Sequence, residues 1–298
     1  MGSAEIVERI KTALDDMPVQ MQVAARFIMD QPSEVALLSM REQARKAGVP
    51  PATMTRLAQR LGFSGYQDLK DAYVEAVRNN VPWFSGRAVN MLNRRKQIGE
   101  AALITETVTS IARAVEDLSR PATVDALIKA TNILERARSV YCIGARATFP
   151  VAFLFDYTQR FYSDKIHLLE GPGGSGIDLM HRIGSKDALL AVSLSPYSNT
   201  THRATQLAHK AGARIVAITD SEFAPVARLA NVAVLVSAQS PSFFDTISPA
   251  LAAAEVLVAL LASRAGTDVP KNVSRHEKLL REAGVFWTPG KRNQSDHE

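Results

Sequence analysis

The segment between Ser39 and Phe63 constrains the fold more than any other part of the chain. Ser39 and Glu42 have the spacing of a capping box, in which the serine hydroxyl accepts a backbone N–H and the glutamate accepts the N–H of the serine. Gly48 can take the left-handed conformation that ends a helix, and Pro51 suits the first helical position, where its missing N–H is not needed. The segment therefore predicts two short helices packed across a tight turn.

The second of these helices, which we expect to run to about Leu61, has two chemically different faces. Its apolar stripe consists of Met54, Leu57, Ala58 and Leu61. The opposite side carries Thr53, Arg56 and Arg60. A helix about 10 Å across fits the major groove of DNA, where arginine can bond to guanine edges and threonine to a base or a phosphate. One face is thus predicted to pack and the other to contact DNA.

The charge of the segment favours this function. Between Ser39 and Gly62 stand five basic residues and a single acid, Glu42, so the segment would attract the phosphates of DNA. The residues predicted to contact double-stranded operator DNA are Arg41, Arg45, Pro51, Thr53, Thr55, Arg56, Gln59 and Arg60. An ordinary helical hairpin, whose arginines contact only solvent, is the alternative.

The flanking residues extend this pair into a helical domain of residues 1–80. Ser64 and Gln67 have the spacing of a second capping box. The next helix is expected to carry an apolar stripe of Tyr66, Leu69, Tyr73 and Val77. Upstream, an apolar-periodic helix is predicted from Met17 to Met29. The sequence therefore predicts an all-α bundle.

A family resemblance is carried by the sequence MREQARKAGVPPATMTRLAQRLGFSGYQDLKDAY. It is similar to the N-terminal helix-turn-helix domain of the RpiR/MurR family of bacterial transcriptional regulators. The resemblance implies a DNA-binding regulator of transcription. One departure is Pro50, which stands where the family has a serine-like cap, and the loss of such a cap costs about 1 kcal/mol.

The remainder of the chain has a different pattern. Residues 81–120 are predicted to be a connector followed by a helix from Glu100 to Leu118. Residues 121–268 alternate short apolar runs with helical stretches, and the runs are VYCI, KIHLL, ALLAVSL, RIVAIT and VAVLV. Helices are expected at Phe149–Tyr162, Thr200–Ala211, Pro225–Leu229 and Pro249–Ala265. This alternation predicts an α/β fold with a doubly wound parallel sheet, and residues 269–298 add a helix at Ser274–Ala283 and a polar tail.

A serine-rich loop between Ser193 and Thr201 follows the third predicted strand. Ligands of such sheets bind beyond the carboxyl ends of the strands, and a helix N-terminus favours an anion such as phosphate. The loop Gly144–Thr148 after the first strand should lie beside it, and Arg146 could add a charge-assisted bond. A loop that is rich in serine only because serine caps helices is the alternative.

The two loops and the strand pattern resemble a SIS domain, the phosphosugar-binding fold of sugar isomerases, between about Asp125 and Ala265. The resemblance implies a phosphorylated sugar or a similar small anion as the ligand. By the resemblance, Ser193, Ser195, Ser198 and Thr201 are implied to hold the phosphate, with Thr148 near them. The residues that we predict to bind the ligand also include Gly144, Arg146, Thr200 and Glu255. Pro196 replaces the glycine of the family loop and removes a backbone N–H, so one phosphate contact is in doubt.

Catalysis is the less favoured alternative. An isomerase needs a base close to its substrate, and the candidates are Glu170, Glu255, His167 and His181. Each is explained at least as well as a polar group on a helix face or at the end of a strand. The histidines have no spacing typical of a metal site, so we expect neither a metal nor a cofactor. Cys142 is expected to be a buried strand residue rather than a redox sensor.

The sequence thus predicts a ligand-responsive DNA-binding regulator rather than an enzyme. The alternatives are a sugar-phosphate isomerase and a regulator whose SIS-like domain only dimerises. We expect a homodimer or homotetramer, with the helices Glu100–Leu118 and Pro249–Ala265 as candidates for the subunit contact. No apolar run is long enough to span a membrane, and with 46% hydrophobic and 22% charged residues we expect a globular cytoplasmic protein.

Overall fold

The computed structural model describes residues 9–10, 12–14, 16–30, 35, 38–79 and 84–287. Contacts divide the chain into two compact units. The first consists of Met1–Thr109 with Ser240–Asp245, and the second of Ser110–Gln239 with Thr246–Glu298. The predicted fold class, a helical N-terminal domain joined to an α/β domain with a parallel sheet, is confirmed. The domain boundaries given by the sequence stay a prediction.

The first unit is helical. Its helices are α1 (Val19–Asp30), α2 (Met40–Ala47), α3 (Pro51–Arg60), α4 (Tyr66–Asn79) and the part of α5 (Ser85–Glu116) up to Thr109. Helix α5 is interrupted at Gly99, whose φ of 79° and ψ of 170° lie outside the helical region. The break interrupts the helical repeat at Gly99. The half of α5 after the break starts at Glu100, as the sequence predicts, and the residues from Ser85 to the break, which were predicted to be a connector, are also helical.

The α2–α3 pair forms as the sequence predicts. Ser39 caps α2 and its capping box with Glu42 is complete, while Gly48 ends the helix with φ of 67° and ψ of 31°. Pro50 leaves α3 without a side-chain cap, and Pro51 occupies its first turn. The predicted stripe is buried against residues of α1 and α2; its members are Met54, Leu57, Ala58 and Leu61. The turn geometry and this stripe together determine which side of α3 packs in the bundle and which side is exposed.

Two predictions in this unit were wrong in detail. The Ser64–Gln67 capping box does not form, because the Ser64 hydroxyl donates to Asp68 and the Gln67 side chain donates to Asp71. Helix α1 begins at Val19 rather than Met17, although the Met17 side chain is buried. Of the stripe predicted for α4, Tyr66 and Leu69 are buried. The side chains of Tyr73 and Val77 lie outside the described residues.

A short strap, which we define as residues Ser240–Asp245, belongs to the first unit by its contacts. The Arg87 guanidinium on α5 forms an ion pair with Asp245 at 2.7 Å and donates to the carbonyls of Ser240 and Ser242. Phe84 stacks on Phe244 with ring centroids 4.8 Å apart. The strap is therefore held by one cation and by aromatic packing.

The second unit is built on a parallel sheet. Among the described residues it has five strands, β1 (Val140–Gly144), β2 (Ile166–Leu168), β3 (Ala188–Ser193), β4 (Arg214–Thr219) and β5 (Val232–Leu235). Their order is β2-β1-β3-β4-β5, and every neighbouring pair is parallel. Strands β1, β3 and β4 are almost wholly buried, which explains their near-continuous apolar sequences.

Helices cover both faces of the sheet. They are α6 (Pro121–Arg136), α7 (Phe149–Gln159), α8 (Asn199–Lys210) and α9 (Ser248–Arg264). Helix α10 (Asp268–Glu282) follows α9 and has no buried residue. One core contains Cys142, Leu190 and Val216 with residues of α6, α7 and α9. The other contains Tyr141 and Leu189 with residues of α8. Successive strand residues thus point into different cores, as a doubly wound sheet requires.

Three helix predictions in this unit need correction. The helix expected at Pro225–Leu229 is only a 3-10 turn, Ala227–Leu229. Helix α7 ends at Gln159 rather than Tyr162. Helix α10 begins at Asp268, six positions before the predicted start, because Pro270 falls in its first turn, where proline is tolerated.

The amino ends of β1 and β3 are joined by an ion pair. Arg138 donates through Nε and Nη2 to the two carboxylate oxygens of Asp187, at 2.9 and 2.7 Å. Burial by itself raises the pKa of Asp187, but the hydrogen bonds from Arg138 and from the Gly184 N–H outweigh it and lower that pKa below its ordinary value. Asp187 is thus held ionised at the edge of the sheet opposite to the candidate ligand loops.

Within the described ranges, no single helix is both long and apolar enough to cross a membrane. Helices α9 and α10 meet that test of length and composition only when taken together across a bend of 115°.

Candidate functional site

The outer face of α3 is positioned as the sequence predicts. Arg56 and Gln59 are exposed and Thr53 is half-buried. Arg60 is also exposed, but its Nη2 donates to the Asp16 carbonyl at 2.9 Å, so this side chain is held against the bundle. Among the predicted α3 contacts, Arg56 therefore combines charge with an exposed position at mid-helix.

The other predicted DNA contacts have mixed surroundings. Arg41 and Arg45 are exposed on α2, and Pro51 is exposed at the first turn of α3. The Thr55 hydroxyl donates to Met40 Sδ at 3.3 Å, so it joins α2 to α3 rather than lying on the outer face. The assignment of these residues to DNA stays a prediction.

Gln43 is a structural residue that the sequence reasoning missed. It is fully buried in α2, where its Nε2 donates to the carbonyls of Val35 and Leu38 and its Oε1 accepts from the Tyr66 hydroxyl. A buried polar group must be hydrogen-bonded to be tolerated, and here each end has a partner. Gln43 precedes Ala44, which the sequence already assigns to the packed side of α2. This position was the one sequence signal that Gln43 is buried.

The candidate ligand site lies at the switch point of the sheet, between β1 and β3, where the strand order reverses. Strands β1 and β3 are neighbours, with β2 beyond β1 and β4 beyond β3, so the loops after β1 and β3 leave the same edge side by side. The Thr148 hydroxyl, which is buried, lies 3.0 Å from both the Val192 and the Ala145 carbonyl. It therefore ties the loop after β1 to the end of β3, and its predicted role as a ligand contact is not needed to explain its position.

The loop after β1 is unusually close-packed. A Cβ atom on Gly144 would lie 2.3 Å from the Thr148 carbonyl oxygen, so only glycine fits there. Arg146 has a φ of 58° and an exposed side chain. The tight turn thus places a cation at the carboxyl edge of the sheet.

Two buried hydroxyl groups border the loop after β3, one on Ser193 at the end of the strand and one on Thr201 in the first turn of α8. Ser193 is 2% exposed and Thr201 is 0% exposed. Among the described residues, neither Ser193 Oγ nor Thr201 Oγ1 has a hydrogen-bond partner. An unpaired buried hydroxyl costs about 1–3 kcal/mol, so a ligand that completes these bonds would gain affinity.

The other predicted residues of this segment lie at or just before the amino end of α8. Ser198 is the N-cap, and its hydroxyl accepts from the Thr201 N–H at 3.4 Å. Ser195 is half-buried and donates its N–H to Asp220 Oδ2 at 3.2 Å. Thr200 is exposed at the first turn. Hydroxyl groups and a helix N-terminus thus meet in one loop, an arrangement that suits a phosphate.

Asp220 is the residue at this site that sequence reasoning missed. It directly follows β4, and the Thr219 hydroxyl before it donates to the Ser193 carbonyl at 2.6 Å. In the sequence, the signal that could have identified Asp220 was its position directly after the apolar run of β4.

Glu255 and the candidate bases are placed differently. Glu255 is exposed on α9, while Ala253, Ala254 and Leu257 of the same helix are buried. Glu170 and His181 are exposed. His167 is half-buried beside Tyr141, with ring centroids 5.2 Å apart.

The predicted burial of Cys142 is confirmed. The thiol is fully buried in β1, and burial raises its pKa well above the ordinary value, so it stays protonated. In the part of the chain that the structure describes, no three His, Cys, Asp or Glu side chains are grouped so that they could hold a metal ion.

A separate groove of 480 Å³ lies between the end of α7 and α10. Its lining includes Arg160, Tyr162, Asn272 and Arg275, and the Asn272 amide donates to the Tyr162 carbonyl at 3.4 Å. The groove shares no lining residue with the two loops, so it is not the site that the sequence predicts.

Two family models match the chain. Residues 4–80 match the helix-turn-helix domain of the rpiR family. Residues 133–260 match the SIS domain. The first match covers α1–α4, and the second covers the whole sheet with both candidate loops.

Related proteins agree with these matches. The chain is 22% identical over 245 residues to an HTH-type transcriptional regulator of Providencia stuartii, which covers 82% of this chain and 83% of that protein. It is 26% identical over 239 residues to the bifunctional protein glk of Burkholderia thailandensis, covering 78% of this chain. It spans only 35% of the length of that relative.

A solved structure shares the fold. The NanR protein of Vibrio vulnificus, complexed with ManNAc-6P, superposes with a TM-score of 0.61 at 19% identity, covering 95% of this chain and 100% of that one.

Proposed function

The chain has the make-up of the RpiR family of transcriptional regulators, a helix-turn-helix domain of that family followed by a SIS domain, and on this premise we propose that it binds operator DNA under the control of a phosphorylated sugar. The proposal assigns DNA binding to the α2–α3 pair and ligand binding to the loops after β1 and β3.

The exposed face of α3 supports the DNA half. Its apolar stripe is buried in the bundle, which leaves Arg56 and Gln59 exposed on a helix of a size that the major groove admits. Arg41 and Arg45 add basic charge on α2 that can attract phosphates. Named relatives of this chain are HTH-type regulators.

The observation that carries the ligand half is the pair of buried hydroxyls, Ser193 Oγ and Thr201 Oγ1, which lack partners among the described residues. Ser193 ends β3 and Thr201 lies in the first turn of α8, at the edge of the sheet where ligands of this fold bind. The similar fold of NanR, solved with ManNAc-6P, supports a sugar phosphate as the class of ligand.

For the ligand to control DNA binding, it must bind the DNA-competent and the DNA-incompetent states with different affinity. A homodimer or homotetramer fits this function, because one recognition helix covers too few base pairs and paired half-sites match a twofold protein. Such a regulator acts on DNA in the cytoplasm.

The isomerase alternative is less well supported. Glu170 and His181 are exposed, and Glu255 lies on the exposed side of α9. Proton transfer next to a carbonyl needs a base held within hydrogen-bond reach of the substrate. Incubation of the protein with sugar phosphates, followed by analysis of the products, would reveal isomerisation and would favour this alternative.

The test of the proposal measures DNA binding by fluorescence anisotropy, with the full-length protein and a fragment from upstream of its own gene. We expect preference for this fragment over random duplex. We also expect at least one hexose 6-phosphate, with ManNAc-6P in the panel, to change the affinity about 5- to 150-fold.

The matched variant is Ser193→Ala combined with Thr201→Val, which removes both hydroxyls and keeps the volumes similar. It should keep its affinity for the fragment and lose the response to the sugar phosphate. Ser237→Ala, an exposed serine, is the control and should behave as the native protein. Equal binding to the fragment and to random duplex, with and without every sugar phosphate, would refute the proposal.

A further inference from the structure

Asp220 places a negative charge directly against the loop that is proposed to bind a phosphate. Its Oδ2 accepts the Ser195 N–H at 3.2 Å. Its Oδ1 lies 3.4 Å from the Thr219 hydroxyl oxygen, whose proton is donated to the Ser193 carbonyl at 2.6 Å. The carboxylate is thus held at the carboxyl ends of β3 and β4.

This arrangement opposes the binding of a bare phosphate. The Ser195 N–H is a donor that an anion in the loop would use, and the Asp220 carboxylate already occupies it. A phosphate dianion in the same loop would lie close to the negative charge of Asp220. Repulsion between the two like charges would weaken its binding. Inorganic phosphate therefore meets a competitor that is part of the protein.

A phosphate ester with free hydroxyl groups meets a different situation. A hydroxyl donor on the ligand can form a charge-assisted hydrogen bond to the carboxylate. A site that accepts a hydrogen bond from a ligand hydroxyl discriminates strongly against an analogue without that group. The same charge that repels a bare anion can thus hold a sugar.

We infer that Asp220 determines which anions the site accepts, by disfavouring inorganic phosphate and favouring a phosphate ester whose hydroxyl groups donate to its carboxylate. This inference rests on the proposed function of the loop. A purely structural role, in which Asp220 only holds the Ser195 backbone, is the competing explanation.

The variant Asp220→Asn separates these explanations. Its amide oxygen can still accept the Ser195 N–H, so the loop keeps its hydrogen bond while the charge is lost. If the charge matters, affinity for inorganic phosphate rises; if only the hydrogen bond matters, that affinity stays the same.

The experiment is calorimetric titration of the full-length protein with inorganic phosphate and, separately, with ManNAc-6P. We expect Asp220→Asn to bind inorganic phosphate about tenfold more tightly than the native protein. The gain for ManNAc-6P should be smaller, or become a loss, because its hydroxyl contact to the carboxylate is weakened. The ratio of the two affinities thus moves towards inorganic phosphate.

Asp125→Asn is the matched control, since it removes the same charge from an exposed position on α6 and should leave both affinities unchanged. Thermal melting checks that Asp220→Asn is folded, and Asp220→Ser serves in its place if it is not. Equal affinity of native protein and variant for inorganic phosphate would overturn the role of Asp220 alone. An equal gain for both probes would overturn the preference for hydroxyls. Failure of every protein to bind either probe would instead reject the proposed function.

Discussion

Arg56 and Arg60 are both exposed on α3, yet their surroundings give them different roles. The guanidinium of Arg60 donates to the Asp16 carbonyl, so it contributes to the bundle as well as to its charge. Arg56 lies about one turn closer to the start of α3, where the major groove would receive its side chain. The same residue type thus contacts the bundle at one position and is exposed, where we propose that it binds DNA, four residues earlier.

The variant Arg56→Ala should weaken operator binding by about 1–3 kcal/mol if the side chain contacts a base, without lowering the melting temperature. If the side chain contacts a phosphate instead, the variant should bind all DNA sequences more weakly. The slope of log affinity against log salt concentration should then become shallower by about one. Anisotropy titrations at several salt concentrations measure both quantities.

Arg203→Ala, at an exposed position on α8, is the control and should leave DNA binding unchanged. Arg60→Ala should lower both the DNA affinity and the melting temperature. Unchanged operator affinity in Arg56→Ala would remove this residue from the proposed interface.

Single residues also mark the limit of the sequence reasoning. The pattern identified Gly48, Pro51 and the buried side of α3, because backbone conformation and helical period are local properties. It could not foresee that the Thr55 and Thr148 hydroxyls donate inside the protein, since their partners are remote in sequence or set by a turn. Direction of a hydroxyl group depends on tertiary packing.

Among the elements, the turn after β1 carries the tightest backbone contact described above. Strand β1 ends at Gly144, and the Thr148 carbonyl oxygen occupies the space that a side chain would need. The turn also brings the Thr148 hydroxyl to β3. Its geometry therefore sets the relative position of the two candidate ligand loops.

We expect Gly144→Ala to destabilise the protein by about 1–3 kcal/mol, because the new methyl group forces the turn to move. The melting temperature should fall, and the response to a sugar phosphate should weaken in protein that remains folded. Gly86→Ala is the matched control, since nothing lies within 4 Å of its added Cβ in α5. A melting temperature equal to that of the native protein would contradict the close packing.

Elements were predicted best where one signal was strong. Strands β1, β3 and β4 were found because buried parallel strands are nearly continuous apolar runs. Helix α5 was missed before Gly99 because none of the residues from Ser85 to the break is buried, so that half carries no apolar stripe. The Ser64–Gln67 box failed because Asp68 and Asp71 offer those side chains alternative acceptors within one turn.

At the scale of the whole molecule, α5 offers a surface for a second copy of the chain. Ile104 and Val108 are 64% and 61% exposed, and they lie one turn apart on the same side of the helix. Between Ala101 and Ala112 the single charged residue is Glu106, which pairs with Arg94. An uncharged face can meet its own copy across a twofold axis without like charges opposing each other.

The double variant Ile104→Lys with Val108→Lys should therefore convert the predicted dimer into a monomer, as measured by light scattering. Operator binding should weaken with it, because paired half-sites need both copies. Leu279→Lys, also a highly exposed apolar residue but on α10, is the control and should leave the mass unchanged. A double variant that keeps the native mass would exclude α5 as the contact and leave Val256 of α9 to be tested in the same way.

Both domains and both candidate loops could be predicted from the sequence, because each resembles a family over a continuous stretch. The contribution of Asp220 could not, since its contact with Ser195 depends on β3 and β4 being neighbours. The strap was missed for the same reason, because Arg87 and Asp245 meet only in the folded chain.

The strap makes the protein less modular than its linear order of domains implies. Six residues far along the chain complete the first unit, so a cut after Thr109 would separate Arg87 from Asp245 and Phe84 from Phe244. A gene fusion that grafted a foreign DNA-binding domain at that point would inherit two unsupported phenylalanines and an orphaned carboxylate. Exchange of the N-terminal half, whether in evolution or in the laboratory, is compatible with this architecture only when the strap is exchanged with it.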